Sequence, residues 1–246
     1  MLSKVQVKDI RGLSTGKGRA EAGAFVAEGE KIVGEFIRAR HPIRLLAATE
    51  PWLGANAALL QSAGIAQVVP AHSDDLARAS SLSAPQPVLI VADLPEAPQQ
   101  LPAKEWTLVL DDIQDPGNVG TLIRIADWFG IGHVVASPAS ADFFNPKVVQ
   151  AAMGGHLRVQ LHKSTLPFFI SGVQMPVIAA ALGGADAYGF EKQPACALII
   201  GNESRGISRE VLQLCDYSVA IPRRGGAESL NAAVSAGILC ALLSPG

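Results

Sequence analysis

The chain has 246 residues, 49% apolar and 17% charged with 24 glycines, which excludes a disordered, collagen-like or highly charged protein and leaves room for one large or two modest cores. Twenty Lys and Arg against 22 Asp and Glu give a net charge of −2. No global positive field advertises nucleic acid, so any contact with RNA or DNA has to be focal.

Along the chain, Lys4, Lys8, Arg11, Lys17 and Arg19 come first, against Asp9 alone and with no apolar run behind them. That pattern suits a basic arm and not a secretory signal. FVAEGEKIVGEFIRA then shows the helical spacing of Ile32, Val33, Phe36 and Ile37. IRLLAAT reads as a strand, LGANAALLQSAG as a helix, AQVVPA as a strand, SDDLARA as a short helix and QPVLIVADL as a strand. These elements predict a small α/β unit over residues 1–95. The proline-rich, polar segment 96–106 suits an extended linker.

Alternation restarts at 107–246. Strands are expected at WTLVLDDI, GHVVAS, PVIAAALG, ACALIIGN and DYSVAIP, and helices at TLIRIADWFG, NPKVVQAAMGG, TLPFFIS, SREVLQLC and SLNAAVSAGILCALLS. Several of these strands are continuous apolar runs, as in a parallel sheet covered on both faces. Cys196, Cys215 and Cys240 are scattered without CxxC or His-paired spacing, so neither a disulfide framework nor a metal site is expected. The long uncharged stretch from Ser164 to Ala185 is interrupted by Pro167, Gln174, Pro176 and glycines, which argues against a membrane span. A cytoplasmic protein is expected.

Ligands of open α/β sheets bind where strands end, and three loops there are unusual. QDPGNVGTLIR turns through Pro116 and Gly117 into a helix on which Leu122, Ile125, Ala126 and Phe129 share a face, leaving Arg124, Gly120 and Trp128 on the other. Asn118 or Thr121 is a candidate cap. By spacing alone Arg124 reads more readily as a solvated helix arginine. LIIGNESRGIS superficially resembles a phosphate loop, but Ile207 stands where the lysine is required. By itself it is also a capped turn. IPRRGGAESLNAAVSAG carries Arg223 and Arg224 among glycines ahead of Ser229 and Asn231, a turn that either grips phosphate at a helix start or is merely solvated.

Together, in this order and spacing, the three segments resemble the motifs of the SpoU (TrmH-like) family of S-adenosylmethionine-dependent RNA ribose 2′-O-methyltransferases, in the SPOUT superfamily. Residues 1–95, notably KDIRGLSTGKGRAEAGAFVAEGEKIV, resemble the RNA substrate-binding domain of many members. The resemblance implies a mostly parallel C-terminal sheet tied in a deep trefoil knot, and a homodimer that completes each active site. By motif, Gly201, Ile221 and Leu230 would contact S-adenosylmethionine, with Leu182 and Gly206 as further candidates. Asn118, Arg124, Glu203, Ser229 and Asn231 occupy catalytic and substrate-positioning places. Arg223 departs from the methionine usual after Ile-Pro, and Ala232 from a common valine.

Transfer from a sulfonium to a ribose hydroxyl is an in-line displacement that needs positioning and removal of the hydroxyl proton. A guanidinium is ordinarily a donor only; Arg124 is therefore expected to orient the hydroxyl and a phosphate and to stabilise emerging negative charge. Lys4, Lys8, Arg11, Lys17 and Arg19, followed by Arg38, Arg40 and Arg44, are expected to meet RNA phosphates, with Arg223, Arg224 and Lys147 nearer the site. A nicotinamide enzyme is disfavoured because no G-x-G-x-x-G turn follows a strand. Ribosomal RNA is the expected substrate; a transfer-RNA methyltransferase and a non-catalytic RNA-binding protein of the same fold are the alternatives.

Overall fold

The computed structural model describes residues 1–61 and 63–244. Ser62, in the helix expected over 53–64, and the two residues after Ser244 at the end of 107–246 lie outside the described residues. Contacts divide the chain into two compact units.

The first unit contains Met1–Glu96 and Asp142–Leu157. Its chain runs through α1 (Lys4–Gly12), α2 (Gly16–Ala22), β1 (Ala24–Glu28), α3 (Glu30–Arg38), β2 (Ile43–Ala48), α4 (Glu50–Ala55), α5 (Ala57–Gln61), β3 (Val68–Pro70), α6 (Ser73–Ala79) and β4 (Val88–Asp93). The strands are ordered β1-β4-β2-β3, with only β2 and β3 parallel. The basic arm is folded. A Ser3–Gln6 capping box starts α1 and Thr15 caps α2, while Leu2, Ile10 and Leu13 join the core formed by Val26, Leu76 and Leu89. Helical spacing in residues 25–39 holds only from Glu30, because Gly29 at φ 99° redirects the chain and AFVA ahead of it is a buried strand.

From Ala97 the chain continues through β5 (Thr107–Asp111), α7 (Pro116–Trp128), β6 (His133–Ala136), α8 (Pro146–Ala152), β7 (Gln160–Lys163), α9 (Leu166–Gly172), β8 (Val177–Asp186), β9 (Ala197–Gly201), α10 (Arg209–Leu212), β10 (Tyr217–Ala220) and α11 (Ala232–Leu243). All but α8 build the second unit. Its six strands are ordered β10-β8-β9-β5-β6-β7, every pair parallel. Val109, Val135 and Ile199 pack with Leu166, Phe169 and Val211 of α9 and α10. The alternate residues Leu108, Leu110, Leu198 and Ile200 are buried as well, which is why these strands read as unbroken apolar runs. Among the described residues no helix is long and apolar enough to cross a membrane.

Sequence order places α8 among the helices of the second sheet, but its contacts belong to the first unit. Val149 lies in the core with Phe25, Phe36 and Val88, and Phe144, just before α8, packs on Phe25 with ring centroids 5.0 Å apart. The strand β7 has little apolar signal: Leu161 is its one apolar residue and is half-buried, Gln160 and Lys163 are exposed, and its one buried side chain is His162.

His162 lies 3.2 Å from His133, Nε2 to Nδ1. Burial, and then the neighbouring His133, pushes its pKa down to about 4. Burial also takes His156 down to about 4. Both pKa values fall below that of the unfolded chain, near 6.5. Their contribution to stability is therefore complete above about pH 6.5 and is lost as pH falls toward about 4. The thermal midpoint is expected to drop by a few degrees between pH 7 and pH 5, and His162→Phe to flatten the part of that slope arising in the second unit. A wild-type midpoint constant across this range in calorimetry contradicts the assignment.

Candidate active site

Three loops emerge at the carboxyl ends of β5, its neighbour β9, and β10, which lies beyond β8. Residues 112–115 follow β5, residues 202–208 follow β9, and residues 221–231 follow β10. The first two are pinned together through two acidic residues. Buried Asp111 accepts the Ser208 N–H at 2.7 Å through Oδ2. Asp112, held at φ 60°, pairs with Arg205 through its carboxylate and accepts the Asn202 Nδ2–H at 2.8 Å through its carbonyl. Asn202 Oδ1 in turn accepts from the Ser204 and Arg205 N–H groups at 3.0 and 3.1 Å. A non-glycine residue at positive φ is held only by such surroundings.

Glycine is required at the second loop. A Cβ on Gly201 would stand 2.3 Å from Gly206 C and Ile207 N, so the loop closes directly over the end of β9. Gly206 itself turns at φ 69°. At the sheet's other side, β8 and β10 pair at Ala179↔Ser218 and next at Ala185↔Val219, so residues 180–184 leave the ladder. A Cβ on Gly184 would lie 2.5 Å from Ser218 C.

A line of side chains links the second and third loops to the first turn of α7. Asn118 Nδ2 donates to Glu203 Oε1 at 2.6 Å, and Asn231 Nδ2 donates to Asn118 Oδ1 at 2.9 Å. Asn231 Oδ1 accepts the N–H groups of Ala233 and Val234 at 2.9 and 3.2 Å, capping α11. The cap requires the oxygen of Asn231 to face its own helix. Its amide nitrogen then faces Asn118, whose oxygen is used, and the Asn118 nitrogen is left for the carboxylate. Both amide orientations in this line follow from that cap. Asp115, and not Asn118 or Thr121, caps α7: its Oδ1 accepts the Asn118 N–H at 2.8 Å. Asn118 is thereby free to reach across the loops.

Arg124 and Ser229 are exposed and have no hydrogen-bond or ion-pair partner among the described residues. The exposed side of α7 does carry Arg124 and Trp128, but Gly120 is on the buried side with Val119, Leu122, Ile123 and Ala126. Leu182, in the looped-out segment of β8, is 78% exposed, and Leu230, just before α11, is 49% exposed. Asn118, Glu203 and Asn231 are thus joined by hydrogen bonds, and Gly201 and Gly206 meet backbone to backbone. Asp111, Asp112 and Asn202 were not among the residues expected from sequence. The signal present was an acidic pair ending the strand that leads into the first loop.

The expected RNA-contacting cations separate into two groups. Lys4, Lys8, Arg11, Lys17, Arg223 and Arg224 are exposed. Arg19 is not: it is 3% exposed, donates through Nη1 to the carbonyls of Leu13 and Ser14 at 2.9 and 3.1 Å, and pairs with Asp142 at 3.2 Å. Its guanidinium ties α2 to the segment preceding α8, and that corrects its expected place at the RNA surface. Arg44 is similarly occupied by Asp93 and by the carbonyls of Ala22 and Gly23.

A parallel α/β domain with glycine-bearing loops gathered at the carboxyl ends of its strands is the class defined by this geometry. The SpoU rRNA Methylase family model matches residues 105–241, and the chain belongs to that family. The MRM3-like substrate binding domain model matches residues 4–90. The 23S rRNA (guanosine(2553)-2′-O)-methyltransferase RlmP of Bacillus subtilis is 32% identical over 239 residues, covering 95% of this chain and 94% of its own. A TrmH-family protein from Porphyromonas gingivalis is 40% identical with a TM-score of 0.84, covering 99% and 98% of the two chains. An AdoMet-bound rRNA methyltransferase from Sinorhizobium meliloti is 27% identical with a TM-score of 0.84, covering 98% and 94%.

Proposed function

We propose that the protein methylates a ribose 2′-hydroxyl of ribosomal RNA with S-adenosylmethionine as donor. The observation that carries this reading is the Glu203–Asn118–Asn231 chain, which links the loops after β9 and β10 to the start of α7, the helix that carries the exposed Arg124. Ribosomal RNA is favoured over transfer RNA because the rRNA-modifying relative from B. subtilis matches along nearly the whole chain, including the first unit.

The residues at the strand ends suit the cofactor. Gly206 has open space where a side chain would stand, and Leu182 and Leu230 offer exposed apolar surface; with Ile221 and Gly201, over which the Gly206–Ile207 backbone closes, they would hold S-adenosylmethionine. When bound, it supplies a methyl group already activated on sulfur. Arg124 would donate to the ribose hydroxyl oxygen and a neighbouring phosphate, stabilising charge as the proton leaves. Ser229 would contribute its free hydroxyl to the same ribose, while Asn118, Glu203 and Asn231 fix the loops that present these groups. Arg223 and Arg224, exposed on the third loop, would meet the RNA backbone, as would Lys4, Lys8 and Lys17 on the first unit.

The active protein is a cytoplasmic homodimer in this reading, with a knotted C-terminal segment. Support for the dimer comes from α7 and α11, which pack together yet expose Trp128 at 83% and Val234 at 51%.

Maps of 2′-O-methylation in ribosomal and transfer RNA, from cells with and without the protein, test the function. Loss of one ribosomal mark, restored by the wild type, is expected. Loss of a transfer-RNA mark selects the alternative substrate, and identical maps overturn the reading.

A further inference from the structure

In the first unit, a cavity of about 670 Å³ is lined by Arg11, Ser14, Ser80, Ser81, Ser83 and Lys147, with Leu82 as its one apolar residue. Three separate stretches of chain build it. Arg11 and Ser14 come from the end of α1 and the turn after it, and the serines from the turn following α6, a helix that packs on α1. Lys147 comes from α8, which reaches the first unit only because residues 142–157 leave the second sheet.

The lining is chemically one-sided. It holds two cations and no carboxylate. The Arg11 guanidinium, the Lys147 ammonium and the hydroxyls of Ser14, Ser81 and Ser83 have no hydrogen-bond or ion-pair partner among the described residues. The turn presenting the serines is held from behind. Buried Glu28 accepts the Ser80 hydroxyl at 2.5 Å and the Ser81 N–H at 3.1 Å, and Ser80 Oγ accepts the Leu82 N–H at 3.0 Å. Both Glu28 oxygens are thereby occupied, leaving the remaining hydroxyls and the two cations as donors facing the cavity. Arg19 contributes indirectly, since its bonds to Leu13, Ser14 and Asp142 join the turn after α1 to the start of the α8 segment.

We propose that this cavity is a phosphate-binding site that grips the backbone of the RNA substrate, with Arg11 and Lys147 supplying charge and Ser14, Ser81 and Ser83 supplying hydrogen bonds. The proposal rests on the methyltransferase reading for the identity of the RNA, and it assigns Lys147 to this site and not to the active-site loops. It also gives the excursion of residues 142–157 a purpose: the second domain's own sequence completes the substrate grip of the first.

The test compares wild type, Arg11→Ala/Lys147→Ala and Ser81→Ala/Ser83→Ala in the full chain. The probes are deproteinised ribosomal RNA from cells lacking the protein and, separately, inorganic phosphate. Loss of both cations is expected to weaken ribosomal-RNA affinity about tenfold at moderate salt and to make the salt dependence shallower by about one to two phosphate contacts. The serine pair should weaken affinity with little change in that slope. S-adenosylmethionine affinity and the thermal midpoint should stay at wild-type values, while Lys8→Ala/Lys17→Ala, outside the cavity, should lose less. Unchanged RNA affinity and slope in the cation variant, where wild type methylates the same RNA, overturn the cavity proposal and leave the enzyme reading standing. Wild-type protein that neither binds S-adenosylmethionine nor methylates RNA overturns the enzyme reading instead. Phosphate binding lost in the variants with RNA affinity unmoved identifies a free-anion site and overturns the RNA assignment.

Discussion

Arg124→Ala is expected to lower methyl transfer by roughly 10²–10³-fold, the usual effect of removing a donor aimed at developing negative charge, while S-adenosylmethionine binds with unchanged affinity. Two observations separate these effects. Arg124 is exposed and has no hydrogen-bond or ion-pair partner among the described residues, so its loss should leave the Glu203–Asn118–Asn231 chain and the Gly201–Gly206 turn as they are. Its chemistry also suits a single role, because a guanidinium offers a planar fork of donors that can span a hydroxyl and a phosphate oxygen together. Arg124→Lys keeps the charge but not the fork and should fall nearly as far. Asn118→Ala should behave differently, because its side chain joins the start of α7 to the loops after β9 and β10; it should weaken cofactor binding as well as turnover. Single-turnover transfer and calorimetry on the three variants provide the check. Wild-type turnover in Arg124→Ala would remove the residue from the mechanism.

Much of this site is legible in the order of amino acids alone, and what is hidden there has definable physical causes. Strands β5, β6 and β9 and the first half of β8 declare themselves because a sheet covered on both faces needs unbroken apolar runs. The three loops stand out because glycine, proline and asparagine concentrate where the backbone must turn sharply. What sequence cannot announce is a contact between distant segments. Asp112 and Arg205 are 93 positions apart, and nothing local to either marks their pairing. Arg19 is spaced like its exposed neighbours in a basic stretch, but its burial depends on Asp142, more than a hundred residues later. The helix α8 has an ordinary apolar face, and periodicity gives the face without saying which core receives it. β7 is hidden because an edge strand of four residues whose single buried side chain is a histidine has no apolar alternation to detect.

Replacing Trp128 by Glu and Val234 by Asp together is expected to convert the proposed dimer into monomers and to remove most methyl transfer. The twelve residues of α11, AAVSAGILCALL, contain a single polar side chain, Ser235. A helix apolar all round is ordinarily covered all round. Here Ala232, Ala233, Ala236, Leu239, Cys240 and Leu243 are buried against the unit, but Val234 and Ala241, two turns apart, are exposed. The neighbouring α7 continues the surface. Asn118 meets Asn231 at the N-terminal ends of the two helices, and Ile125 Cδ1 lies beside Gly237 further along. The helices therefore run parallel, and Trp128 and Val234 belong to their combined outer face. A tryptophan exposed at 83% on such a face fits an interface better than water. Its replacement alone should weaken association roughly thirtyfold or more, the loss of about 2 kcal/mol typical of a central anchor. Arg124 stands one helical turn before Trp128 on α7, so a second copy seated over Trp128 would also wall the side of the site on which Arg124 projects. Activity and assembly should accordingly fall together. Sedimentation velocity and methyl transfer on the same preparations decide the matter: a wild type that sediments as a monomer, or a double variant that remains dimeric, overturns the interface, and monomers that transfer at the wild-type rate establish that one chain holds a complete site.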